Sequence, residues 1–181
     1  LMRDFDDWAT DRRITRAGVQ AALDAAGDGP AVADAWQHRY LLWTSSGTSG
    51  QRGIFVQDAA ALAAYDAIDA LRLRGADGAL PATGLWGMGR RFAYVGAIGG
   101  AYAGHVSMQR LRRLMPAPWA PRIDLLSVLE PLPVLAAQLR RLQPEVLVTY
   151  PSFAAALAAD GAAHGLRLAE LWLGGEQLSP G

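Results

Sequence analysis

The sequence contains no lysine, no asparagine and no cysteine. Without lysine there is no phosphate-loop lysine and no Schiff-base catalysis from this chain. All 17 basic side chains are therefore arginine, a bias that we read as a reflection of genome nucleotide composition. Without cysteine there are no disulfides, thiolate zinc sites or thiol nucleophiles. An excess of charge is missing too. The 17 acidic residues balance the basic ones, so no large cationic surface exists to neutralise a nucleic-acid backbone. No apolar run reaches bilayer length, and the opening Leu1 to Trp8 carries Asp4, Asp6 and Asp7, unlike a secretory signal. The expectation is a cytoplasmic protein with neither a nucleic-acid nor a membrane partner.

What is present suits a globular chain. Its 181 residues are 51% hydrophobic and 19% charged, enough for one sizeable core, and a single α/β unit over residues 1–181 is the expectation. Apolar positions at helical spacing predict a helix from Ile14 to Ala26, ended by Gly27, Gly29 and Pro30. Tyr40 to Thr44 and Ile54 to Val56 read as two strands around a small polar loop. Asp58 is placed to cap a helix running to about Arg74. From Gly84 to Gly104 the pattern fits a strand or a buried helix equally. Beyond it, strands at Ile123 to Leu129, Glu145 to Tyr150 and Leu168 to Leu173 alternate with helices at Leu132 to Leu142 and Phe153 to His164. Such alternation implies right-handed crossovers and a mostly parallel sheet with flanking helices.

The most informative segment is Thr44-Ser45-Ser46-Gly47-Thr48-Ser49-Gly50-Gln51-Arg52-Gly53. Its glycines let backbone N–H groups approach an anion, its hydroxyls add donors, and Arg52 supplies a fixed charge with bidentate geometry. The same composition also makes a plain Gly/Ser turn between two strands.

The run Ser-Ser-Gly-Thr-Ser-Gly, followed closely by a glycine and a β-prone segment, resembles the phosphate-binding signature of the adenylate-forming (AMP-binding) enzyme superfamily. The variant is most similar to the phenylacetate-CoA ligase group. The resemblance implies that Thr44, Ser45, Ser46, Gly47, Thr48, Ser49 and Gly50 hold ATP phosphates, with Arg52 as the cation beside the loop. The common pattern continues Pro-Lys-Gly, whereas Gln51-Arg52-Gly53 has no proline and one residue fewer. A second match is Val146 to Ser152, similar to the strand that leads into Pro-Ser and a helix in that family, which makes Tyr150, Pro151 and Ser152 candidates for the acyl-pocket wall. Pro and Ser also simply start helices well. A third is Leu173-Gly174-Gly175-Glu176, similar to the family's Gly-Gly-Glu segment beside the adenine, though a glycine turn after a strand is the plainer alternative. By position in the family order, Phe92, Tyr94 and Tyr102 become candidates for acyl contacts, against the commoner role of such residues as core.

The activity implied is joining ATP and a small-molecule carboxylic acid into an acyl-adenylate with release of pyrophosphate, then transfer to coenzyme A or another thiol. The family's magnesium-binding Glu and its catalytic Lys belong to later segments, so the resemblance implies an amino-terminal fragment and assigns no catalytic residue here. The alternatives are a non-catalytic nucleotide-binding or structural remnant of that fold, and an α/β domain whose loop binds a sugar phosphate. Other constellations fail. His38, His105 and His164 lack metal-ligand spacing, the serines sit in no GxSxG elbow, and Gly87-Met88-Gly89 lacks the third glycine of a dinucleotide fingerprint.

Overall fold

The strands flanking the Ser/Gly loop pair with each other, as their apolar runs predict. In the computed structural model, which describes residues 2–27, 36–45, 52–72, 90–114 and 122–176, β1 (Leu41–Thr44) and β2 (Ile54–Gln57) form an antiparallel pair with Thr44 opposite Ile54. This pair lies in the first of two compact units, made of Leu1–Pro81 and Gly99–Val106. The same unit holds α1 (Phe5–Trp8), α2 (Arg16–Ala26) and α3 (Ala59–Arg72).

Every residue of β1 is buried because both its faces are covered. Leu42 joins Phe5, Ile14, Val19, Tyr40 and Ile54 in one apolar cluster, while Leu41 and Trp43 pack with Ala101 and Val106 in another. The helix ends follow side-chain chemistry. The Thr15 hydroxyl accepts the Gly18 N–H at 3.2 Å, which starts α2 two residues after Ile14. Gly27 closes it with a positive φ of 54°. Asp58 caps α3 by accepting the Ala61 N–H at 2.9 Å.

The second unit, Ala82–Ile98 with Ser107–Gly181, is the α/β layer. Its elements are β3 (Arg91–Gly96), the later turns of α4 (Ala103–Leu114), β4 (Arg122–Ser127), α5 (Leu132–Leu142), β5 (Val146–Thr149), α6 (Pro151–Ala159) and β6 (Glu170–Leu173). The four strands run parallel in the order β4-β3-β5-β6. Phe92 to Gly96 are all buried, as expected of an inner parallel strand covered on both faces, and that is why periodicity leaves this stretch ambiguous. Ala93, Val95 and Leu147 face Leu135, Ala136 and Leu139 of α5 and Phe153 and Leu157 of α6. Phe92, Tyr94, Ile123 and Val146 face the other way, with Met108 and Leu111 of α4.

Boundaries shift where local chemistry intervenes. β4 stops at Ser127, because the Glu130 N–H bonds the Ser127 carbonyl in a turn that leaves Leu129 91% exposed. α6 begins at Pro151, two residues before Phe153, since proline suits the first helical turn. It ends at Ala159, well before His164, where Gly161 takes a φ of 66°. β6 starts at Glu170 rather than Leu168. No helix among the described residues is long and apolar enough to cross a membrane.

Candidate functional site

In the second unit the strand order reverses at β3. The chain leaving β3 returns as β4 on one side, and the chain leaving β4 must pass β3 to become β5 on the other. The connections after β3 and β5 therefore diverge at the carboxyl ends of these strands, the general ligand position of open α/β sheets. Parallel register aligns these ends, with Val95 opposite Thr149 and Thr149 opposite Leu173.

Three segments meet there. From β3, the Ala97 N–H donates to the Tyr150 hydroxyl at 3.1 Å. From β5, the buried Thr149 hydroxyl donates to the Val95 carbonyl at 2.9 Å. From β6, Gly174 N–H returns to the Thr149 carbonyl at 3.1 Å. The Glu176 carboxylate accepts the Ser152 N–H at 3.0 Å and the Ser152 hydroxyl at 2.9 Å, so a negative charge sits at the amino end of α6 where it complements the helix dipole.

Two glycines make room for two tyrosines. A β-carbon on Gly175, whose φ is 80°, would lie 2.7 Å from the Tyr150 ring; one on Gly96 would fall against the Tyr94 hydroxyl. A β-carbon on Gly174 would meet nothing within 4 Å, so this backbone faces open space that a flat ring could approach. Burial, and then the neighbouring Tyr150, push the Tyr94 hydroxyl above the usual tyrosine range. It stays neutral at physiological pH and offers a hydrogen-bonding group rather than a phenolate base.

The open end of the β1–β2 hairpin lies in the first unit. Ser45 N–H donates to the Gly53 carbonyl at 2.9 Å and the Gly53 N–H donates to the Ser45 hydroxyl at 2.8 Å, closing the base of the loop. Thr44 N–H donates to the Ala101 carbonyl at 2.7 Å, and Thr44 forms a parallel bridge with Tyr102. Arg52 donates through Nη2 to the Tyr102 hydroxyl at 2.9 Å, its guanidinium carbon 5.1 Å from the centre of that ring.

Of the residues singled out from sequence, Tyr150, Pro151 and Ser152 come together with Gly174, Gly175 and Glu176. Tyr94 lies beside Tyr150. Phe92 does not join them. It is fully buried near the amino end of β3, edge-on to Trp172 at 5.5 Å, about 13 Å of strand from Gly96. Thr44, Ser45 and Arg52 share the hairpin end with Tyr102, while Ser46, Gly47, Thr48, Ser49 and Gly50 lie outside the described residues. Sequence reasoning passed over Gly96, Ala97 and Thr149. The available signal was a glycine-bearing turn, Gly96 to Gly100, directly after an apolar run. Among the described residues no group of three or more His, Asp or Glu could hold a metal ion. Comparison with protein-family models, curated proteins and solved structures found no match to this chain.

Proposed function

We propose that this chain contributes the nucleotide and acid-binding part of an adenylate-forming enzyme that activates a small carboxylic acid. One observation carries the reading. The Tyr150-Pro151-Ser152 and Gly174-Gly175-Glu176 segments, picked out from sequence as acyl-pocket and adenine motifs, are tied by the Ser152–Glu176 hydrogen bonds at the carboxyl ends of neighbouring parallel strands. In this reading the open side of Gly174 borders the adenine and Tyr150 walls the acid; the hairpin with Arg52, in the first unit, is taken by itself as a phosphate-binding element. The reaction joins a carboxylate oxygen to the α-phosphorus of ATP and breaks the bond to pyrophosphate. Oriented donors and fixed cations are what such charge transfer needs. Acceptance by coenzyme A or another thiol follows from the family resemblance alone, as does the use of magnesium, for which the described residues supply no ligand cluster.

The test is ligand-dependent thermal stability. A ligand at a hundredfold excess over its Kd adds about 2.7 kcal/mol, so ATP should raise the melting temperature, and an aromatic or aliphatic carboxylate should raise it further in the presence of a non-hydrolysable ATP analogue. Stabilisation by ATP with no effect of any acid favours a nucleotide-binding remnant, and stabilisation by sugar phosphates alone overturns the proposal. Thr48→Ala is expected to weaken ATP binding without altering the melting temperature of the free protein; unchanged affinity counts against the loop assignment.

A further inference from the structure

We propose that Tyr102 is a positioning residue for Arg52, holding its guanidinium at the hairpin end for the phosphate groups of a nucleoside triphosphate. The inference rests on the phosphate role proposed above for the hairpin. Arginine side chains lose rotamer freedom when a ligand immobilises them, and preorganisation lowers that cost. Here the preorganising contacts come from one side chain. The Tyr102 hydroxyl accepts an Nη2 hydrogen at 2.9 Å and its ring lies 5.1 Å from the guanidinium carbon, so Tyr102 fixes both the direction and the distance of the cation.

Tyr102 is itself fixed. Its backbone bridges Thr44 at the end of β1, and the preceding carbonyl, of Ala101, accepts the Thr44 N–H at 2.7 Å. The residue that aims the arginine is thus anchored to the strand that enters the loop. Arg52 differs from the carboxylate-paired arginines of the chain. Arg13 and Arg90 are paired with Asp11 and Glu170 at 2.7 and 3.3 Å, whereas among the described residues no carboxylate pairs with Arg52. Its described contact is with a hydroxyl rather than a carboxylate, and a guanidinium fork carries further N–H donors suited to phosphate oxygens. An exposed cation held by an aromatic hydroxyl, with no acidic partner among the described residues, is built to meet an anion.

The test titrates the full chain with inorganic tripolyphosphate by calorimetry, using the wild type, Arg52→Gln, Tyr102→Phe and the double variant. Arg52→Gln is expected to weaken binding roughly ten- to a hundredfold, and Tyr102→Phe, which keeps ring and charge, roughly three- to tenfold. The double variant should bind no more weakly than Arg52→Gln alone, since Tyr102 acts through the arginine. That non-additivity is the readout a merely structural tyrosine would not produce. Wild-type affinity in Tyr102→Phe, or a double variant showing the full product of both losses, overturns the positioning role while leaving the hairpin as a phosphate site. No binding of tripolyphosphate by the wild type overturns both. Arg52→Lys gives a second route that leaves Tyr102 untouched: it keeps the charge without the fork and should lose affinity several-fold, and undiminished affinity would equally overturn the proposal.

Discussion

Replacing Gly175 by alanine tests whether the Gly-Gly-Glu segment is shaped by Tyr150. Two costs add. The backbone at Gly175 has a φ of 80°, a region that costs a residue with a β-carbon roughly 1–2 kcal/mol. The new β-carbon would also lie 2.7 Å from Cε1 and 2.9 Å from Cδ1 of Tyr150, inside van der Waals contact. Tyr150 cannot swing aside freely, because its hydroxyl accepts the Ala97 N–H at 3.1 Å. Losing that bond costs about 0.5–1.5 kcal/mol, so the expected destabilisation is about 2–3 kcal/mol. With a urea m value of about 2 kcal/mol/M, the unfolding midpoint falls by about 1 M or somewhat more. Repeating the substitution in a Tyr150→Leu background removes the ring and should leave only the backbone cost, about 1–2 kcal/mol. A Gly175→Ala protein within about 0.5 kcal/mol of the wild type refutes the reasoning. Equal costs in the two backgrounds refute the part assigned to Tyr150.

Three further substitutions probe other features. The hydrogen bonds from Arg13 and then Tyr40 hold the Asp11 carboxyl well below its ordinary range; a lowered folded value stabilises above the unfolded value of about 4 and is lost as the pH falls through the folded one. Asp11→Asn should therefore lower the urea midpoint at pH 7, with the gap to the wild type narrowing below about pH 4; a gap that ignores pH defeats this account. Leu139→Ala removes a fully buried side chain between α5 and the sheet and should cost about 3–5 kcal/mol by denaturant unfolding. Glu176→Ala deprives the amino end of α6 of its carboxylate partner and should cost about 1 kcal/mol, with added salt shrinking the difference between the two proteins.

Local pattern made much of the architecture legible. The leucines of α5 at helical spacing defined Leu132–Leu142 to the residue, and Asp58 marked the start of α3, because periodicity and capping act over a few neighbouring residues. The alternation of apolar runs with amphipathic helices was likewise enough to indicate a parallel α/β sheet, which formed. Only the tertiary structure decided the strand order β4-β3-β5-β6, since nothing local records which side of β3 the next strand takes. It also decided the grouping of side chains. Tyr150 meets Ala97 across 53 positions and Ser152 meets Glu176 across 24, while Arg52 meets Tyr102 across 50. Those partners share no periodic signal, because what joins them is the aligned ends of parallel strands and a bridge from Thr44, and both exist only once the chain has packed.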